Sequence, residues 1–290
     1  MNNMQFSTPA SVDAAVSLLA EDADASVLAG GTDLMVQLQS GVRSTRHIVD
    51  IKRIPELNAV TQATDGSWSL GAAVCSAELN ENTALKAQWP GVLEAADLIG
   101  SMQVQGRATM AGNLCNASPA ADSVPALVAA NATVTIAGVN GTRTAPVNSI
   151  ATAPGQTSLA PGEMIVSINL PPKAANSGEA YLRFIPRSEM DIAVVGAGVF
   201  VTLDDAGICT AARASLGAVA PTVLLFDEAD GILVGTKTDE QALDKAADIV
   251  MAACRPIDDK RGTAEYRTDI AGVLFKRAAR IAIERATATA

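Results

Sequence analysis

The stretch Val27-Leu28-Ala29-Gly30-Gly31-Thr32-Asp33-Leu34 decides the reading of this chain. An apolar run passes through two consecutive glycines into a segment whose Leu34 and Leu38 stand one helical turn apart. Glycines at a strand-to-helix junction permit positive φ and leave backbone N–H groups uncovered, so the turn can form a nest for an anion. The start of the helix adds partial positive charge, and the Thr32 hydroxyl can donate to a phosphate oxygen. A diphosphate could be held this way without lysine, and a side chain at Gly30 or Gly31 would then occupy ligand space. The competing reading is an ordinary structural turn, because the G-x-G-x-x-G dinucleotide fingerprint is absent.

Upstream, Ser11 is placed to cap a helix with Val12, Ala15, Val16 and Leu19 on one face, closed by a polar turn at Glu21 to Asp24. Ser26 to Ala29 reads as a strand, Asp33 to Ser40 as a helix and His47 to Ile51 as a strand, an alternation of helix and strand. From Lys52 to Pro172 strand signals dominate, at Trp68 to Ala73, Ala132 to Ile136 and Ile165 to Leu170. One helix, carrying Val92, Leu93, Ala96 and Ile99, is expected to interrupt them, and Asn140-Gly141 predicts a hairpin turn. Pro171-Pro172 and Lys173 to Gly178 read as a linker. Beyond it come strands at Ala180 to Ile185, Ile192 to Leu203 and Ile208 to Leu216, then helices at Asp239 to Ala253 and Ala264 to Arg285. Strands followed by helices make an α+β arrangement.

A second segment, Arg107 to Asp122 (RATMAGNLCNASPAAD), combines small residues, hydroxyls and amides without strand or helix period. That suits backbone laid against a flat polar ligand, or else a buried structural turn. Composition narrows the ligand. A net charge of −10 disfavours a nucleic-acid backbone, and 3% aromatic residues offer no stacking platform for bases. The polar start at Met1 to Asn3 and the lack of a run of about 18 apolar residues predict a cytoplasmic chain with no membrane span. Cys75, Cys115, Cys209 and Cys254 form no close pair, so spacing assigns no metal or iron–sulfur site, and His47 is the single histidine. Arg43, Arg46, Lys52 and Arg53 form a local basic patch, read as a solvated face or a docking surface.

Together the two segments resemble the FAD-binding, or medium, subunit of the xanthine dehydrogenase family of molybdenum hydroxylases. Its members carry an A-G-G-T-D-like diphosphate loop and, about eighty residues later, a T-x-G-G-N-x-x-x-A-S-P-x-x-D segment. Ala111 stands here at the first glycine of the second motif. Asp191-Ile192-Ala193-Val194 and Asp259 to Arg267 (DKRGTAEYR) resemble two further family segments, so the likeness runs over nearly the whole chain.

The resemblance implies a two-part FAD-binding domain of the p-cresol methylhydroxylase/vanillyl-alcohol oxidase type, residues 1–175 with subdomains 1–55 and 56–175. A C-terminal antiparallel sheet with helices, residues 176–290, is expected to follow. Leu28, Ala29, Gly30, Gly31, Thr32, Asp33 and Leu34 are implied to surround the diphosphate and one side of the flavin. Thr109, Gly112 and Asn113 are implied to form the second wall, Ser118 and Asp122 to meet the ribityl and ring end, and Ile165 and Arg183 to close the far side. Asp122 suits a ribityl hydroxyl or ring N–H, and Arg183 a reduced, anionic flavin. Asp33 beside a diphosphate is costly unless its charge is directed at helix N–H groups or the ring.

The implied function is electron transfer. A large subunit binding molybdenum–pterin oxidises the substrate, a small subunit passes the electrons through two 2Fe-2S clusters, and FAD on this chain hands them to an external acceptor. The implied assembly is a dimer of heterotrimers. A self-sufficient flavin-dependent oxidoreductase on the same fold is the alternative. Family substrates range over carbon monoxide, aldehydes, purines and N-heteroaromatics, and Thr32-Asp33 departs from the A-G-G-H-S loop associated with carbon monoxide dehydrogenases, a tilt towards organic substrates.

Overall fold

The structure, a computed structural model, describes residues 4–227 and 230–288, so the polar start at Met1 to Asn3 lies outside it. Strand β1 (Gln5–Ser7), helix α1 (Val12–Glu21), strand β2 (Ala25–Leu28), helix α2 (Leu34–Ser40) and strand β3 (His47–Asp50) form the expected alternation. The three strands make a parallel sheet in the order β1-β3-β2. Ser11 caps α1 by accepting from Ala14 N–H at 3.2 Å, and the helix buries Ala15, Val16 and Leu19. Burying side chains such as Val16 and Leu19 contributes about 1.5–3 kcal/mol each.

The middle of the chain is more helical than its sequence suggests. Strands β4 (Val60–Gln62) and β5 (Trp68–Gly71) precede α3 (Ser76–Glu81), α4 (Thr83–Gln88), α5 (Pro90–Asp97), α6 (Met102–Gln105), α7 (Met110–Cys115) and α8 (Ser123–Ala129). Helices of four to eight residues span about two turns or fewer, too short for a 3.6-residue period to register, so only α5 was legible. Then follow β6 (Thr133–Gly138), β7 (Gly141–Pro146), the small pair β8 (Ala151–Ala153) and β9 (Gln156–Thr157), and β10 (Met164–Leu170). The main sheet is antiparallel in the order β4-β5-β10-β6-β7. The hairpin expected at Asn140-Gly141 is one residue displaced: Val139 and Asn140 occupy the turn, and only Gly141, with φ 106°, has positive φ.

After the proline pair come β11 (Ser177–Phe184), β12 (Val195–Leu203), β13 (Cys209–Gly217) and β14 (Leu224–Phe226), paired in that order and antiparallel, then α9 (Glu240–Ala253) and α10 (Ala264–Ala288). One apolar cluster spans residues 15 to 170 and a second spans 180 to 286. The two are joined by backbone approach. Gly198 and Gly217 sit against Pro125 of α8, where a Cβ on Gly198 would lie 2.5 Å from the Pro125 carbonyl oxygen. By strand alternation the other face carries Val199, Val201 and, paired with Val201, Gly178, whose missing Cβ would meet the Ala282 carbonyl oxygen of α10 at 2.0 Å. Sheet β11–β14 is thus held between α8 and α10. Among the described residues no helix is long and apolar enough to cross a membrane.

The stretch read as a linker is anchored. Lys173 Nζ donates to the Gln88 carbonyl, lies 5.3 Å from the Trp89 ring centroid and approaches Glu179 Oε1 at 3.9 Å. Glu179 is 3% exposed and accepts from Gly91 N–H at 2.9 Å, while Arg285 bridges Glu94 and the Glu179 carbonyl. Burial pushes the Glu179 carboxyl up to about 7, against Lys173 and the Gly91 hydrogen bond. A carboxyl whose folded-state pKa is raised stabilises the fold below its unfolded value near 4.3, and that contribution is lost as pH rises through about 7. The melting temperature should therefore fall between pH 5 and 8, reflecting on the order of 3 kcal/mol from this group. Glu179→Gln, which keeps an acceptor for Gly91 N–H, should flatten the fall; an unchanged pH profile of thermal unfolding would remove Glu179 as its source.

Candidate functional site

The two motifs face each other across one cleft because Gly30 has no side chain. A Cβ there would lie 1.9 Å from the Arg107 carbonyl oxygen and 3.1 Å from Ala108 Cα. At Gly31, φ is +77° and a Cβ would meet Leu28 Cδ1 at 2.7 Å and Met35 Cγ at 3.4 Å. Both glycines are therefore demanded first by the protein itself, which corrects the expectation that their side chains would fill ligand space.

What the turn offers a ligand is its amides. Among the described residues the N–H groups of Gly30, Gly31, Thr32 and Asp33 make no hydrogen bond, while Met35 N–H and Gln37 N–H begin the helical ladder to Gly31 and Asp33 carbonyls. Asp33 does not cap α2. Its Oδ2 accepts from Gln37 Nε2 at 2.6 Å, and the same amide group reaches Asn116 Oδ1 at 2.9 Å. The charge that looked costly beside a diphosphate is thus held by a side-chain amide one turn along α2.

The second segment is not an irregular loop. Thr109 caps α7, its Oγ1 accepting from Gly112 N–H at 2.9 Å, and a Cβ on Gly112 would lie 2.9 Å from that oxygen. Ala111 lies inside this helix, a conformation alanine favours, so its replacement of the family glycine costs the backbone nothing. Asn113 Oδ1 accepts from Ser123 N–H at 3.1 Å and Ser123 Oγ at 2.7 Å, tying α7 to the start of α8. Ser118 Oγ accepts from Ala120 N–H.

These walls enclose a cavity of about 820 Å³. Ala29, Gly30, Gly31, Thr32, Asp33, Leu34, Thr109, Gly112, Asn113, Ser118, Asp122 and Ile165 all line it. Leu28 and Arg183 do not. Leu28 is 7% exposed and packs beneath the glycine turn. The Arg183 guanidinium is buried, its Nη1 donating to Asp122 Oδ2 and to the Leu98 carbonyl, both at 2.8 Å. It therefore sits behind Asp122 and not on the cleft surface. Burial raises the Asp122 carboxyl to about 6, opposed by the Arg183 charge and hydrogen bond.

Residues outside the expected set also line the cleft, notably Gln37, Cys115, Asn116, Asp191, Ile192 and Arg43. Gln37 could have been found from its i,i+4 spacing to Asp33. The two C-terminal segments meet here: Arg261 Nε donates to Asp191 Oδ1 at 2.8 Å, and Arg267, 3% exposed, joins Asp259 Oδ1 at 2.7 Å to the Val194 carbonyl at 2.8 Å. The Arg261 hydrogen bond holds the Asp191 carboxyl down to about 2. Cys115 is partly exposed by surface area, but its sulfur is enclosed, and burial pushes the thiol up to about 12.

The comparisons with known proteins agree with this architecture. The family described as "FAD binding domain in molybdopterin dehydrogenase" matches residues 2–173, and "CO dehydrogenase flavoprotein C-terminal domain" matches residues 180–282. The chain belongs to the FAD-binding subunits of the xanthine and carbon monoxide dehydrogenase family. It is 31% identical over 264 residues to the putative xanthine dehydrogenase FAD-binding subunit of Escherichia coli K12, covering 91% of this chain and 90% of that one. It is 33% identical over 276 residues to the carbon monoxide dehydrogenase medium chain of Hydrogenophaga pseudoflava, covering 94% and 95%. The solved carbon monoxide dehydrogenase of that organism, in a form lacking the Mo-pyranopterin moiety, superposes with a TM-score of 0.92 over 98% of both chains at 33% identity. Quinoline 2-oxidoreductase of Pseudomonas putida 86 gives 0.88 at 27% identity, over 98% of both chains. As a family member the chain is the flavin subunit of an oxidoreductase, and its cofactor is FAD.

The residues of the cleft fit that group. Four unbonded backbone N–H groups suit a diphosphate, and small and apolar lining residues such as Ala29, Ala111, Gly112 and Ile165 suit a ring system. Gly30→Ala must force the Arg107 carbonyl away and part the two walls, so the purified protein should carry less than about a tenth of the wild-type FAD and melt lower. Gly31→Ala meets a flexible leucine end and a positive φ, costs about 1–2 kcal/mol, and should retain most of its FAD. Equal FAD content in the two variants, measured by absorbance of the released cofactor, would separate the cleft from the Gly30–Arg107 contact.

Proposed function

We propose that this chain holds one FAD in the cleft between the glycine turn and Thr109 to Asp122, and that it works in the cytoplasm as the medium subunit of a heterotrimer. A large subunit with molybdenum–pterin and a small subunit with two 2Fe-2S clusters complete it, two such heterotrimers pairing. The domain division follows as 1–175, with parts 1–55 and 56–175, and 176–290.

The observation that carries this reading is the row of unbonded amides from Gly30 to Asp33 opening on a cleft of about 820 Å³, whose far wall is the second motif. When bound, FAD supplies a two-electron carrier that links a partner cluster to an external acceptor. This chain's residues bind and orient it. The Gly30 to Asp33 amides would take the diphosphate, Gly112 and Ile165 would press on the ring and ribityl portion, and Asp122 would face a hydroxyl or ring N–H as acceptor. Thr109, Asn113 and Ser123 hold that wall in place through the hydrogen bonds already described.

Native purification from the source organism should yield this chain with one FAD, a large chain containing molybdenum and a small chain containing iron and acid-labile sulfide. A metal-free preparation of this chain alone that oxidises an organic substrate at full rate would overturn the proposal in favour of a self-sufficient flavoenzyme.

A further inference from the structure

We infer that Arg183 is a positioning residue that acts on the flavin through Asp122, making the Asp122 carboxylate a proton acceptor coupled to flavin reduction. The inference rests on the reading that FAD lies in this cleft. Arg183 does not line the cleft and its side chain is 5% exposed, so its charge reaches the cleft through the carboxylate it grips. The same Nη1 donates to Asp122 Oδ2 and to the Leu98 carbonyl, which fixes the guanidinium between β11 and the end of α5. Tyr181 hydroxyl approaches the other oxygen, Oδ1, at 3.4 Å. Arg183 and Tyr181 are the charged and titratable groups acting on Asp122 among the described residues. Arginine keeps its proton, and burial holds the Tyr181 hydroxyl in its neutral form, so Asp122 is the member of this trio able to change charge.

The chemistry follows from charge balance. Two electrons from the reduced partner clusters and one proton convert oxidised FAD to a singly negative reduced form. A negative ring beside the cleft wall makes a second negative charge on Asp122 costlier, so the carboxylate takes up a proton from solvent as the ring is reduced. Total uptake is then two protons per two electrons over the range in which Asp122 is ionised before reduction and protonated after it. Burial already places that carboxyl at about 6, so the range begins near pH 6 and extends above it. Three other titratable groups that line the cleft are held outside that range. Asp191 is held down to about 2 by Arg261, Glu163 is held low by Arg143, and the Cys115 thiol is pushed up to about 12.

The flavin midpoint potential of the intact complex, measured by spectroelectrochemical titration between pH 6 and 8, should fall with pH twice as steeply as one proton per two electrons requires. Arg183→Met removes the cation that keeps Asp122 ionised, and Asp122→Asn removes the carboxylate; either should halve the slope, and Arg183→Lys should restore it. A one-proton slope in the wild-type complex overturns the inference without any variant, as does a steep slope that survives both substitutions. FAD content separates the two ideas. A flavin present in stoichiometric amount with a one-proton slope leaves the cleft assignment standing, whereas a complex whose FAD is indifferent to Gly30→Ala removes the cleft itself.

Discussion

The contact between Gly30 and the Arg107 carbonyl is the constraint on which the rest of the cleft depends. Backbone meets backbone there at a separation that no side chain permits, since a Cβ would stand 1.9 Å from the oxygen. Because the approach is so close, the turn after β2 and the segment leading into α7 share one cleft although they are nearly eighty residues apart. Everything else on the two walls is oriented from this point: α2 leaves the turn in one direction carrying Gln37, and α7 starts from Thr109 in the other. The hydrogen bond from Gln37 Nε2 to Asn116 Oδ1 then closes the floor between them.

Much of this was legible in the sequence. The glycine pair, the cap at Ser11 and the alternating strands β10, β12 and β13 follow from backbone and periodicity rules that operate over a few neighbouring residues. Of the six helices between Ser76 and Ala129 all but α5 were hidden, because they are too short for a period and most are stabilised by packing rather than by composition. Nor does any local pattern reveal what a glycine is for. Gly30 and Gly31 invite a ligand explanation in sequence, yet the first answers to Arg107 and the second to its own φ of +77° and the Leu28 side chain. Arg183, expected to close the far side of the cleft, does not line it, and only the fold shows that it grips Asp122, which does.

That layering has an energetic meaning. A buried ion pair is weak support for a fold, because desolvating two charges offsets most of their attraction. The Asp122–Arg183 pair therefore has a poor rationale as a staple. Glu179 and Lys173, also at the junction of the two apolar clusters, are in the same position. What such pairs do provide is a fixed location for charge, since breaking one partner leaves the other uncompensated at a cost of several kcal/mol.

Behind Asp122 the junction is built in part from surfaces with almost no side chain. Gly198 and Gly217 accept Pro125, and α8, which bears Pro125, begins immediately after Asp122. The residue that faces the cleft is thus the end of a helix pressed directly onto β12 and β13, while its charge partner Arg183 extends from β11 of the same sheet. A carboxylate held from both ends by one sheet has little freedom to move away when charge appears in front of it. Proton uptake is the response left to a group that cannot relax by displacement, and rigid docking of the two halves is what converts an ordinary buried acid into a sensor of the charge in the cleft.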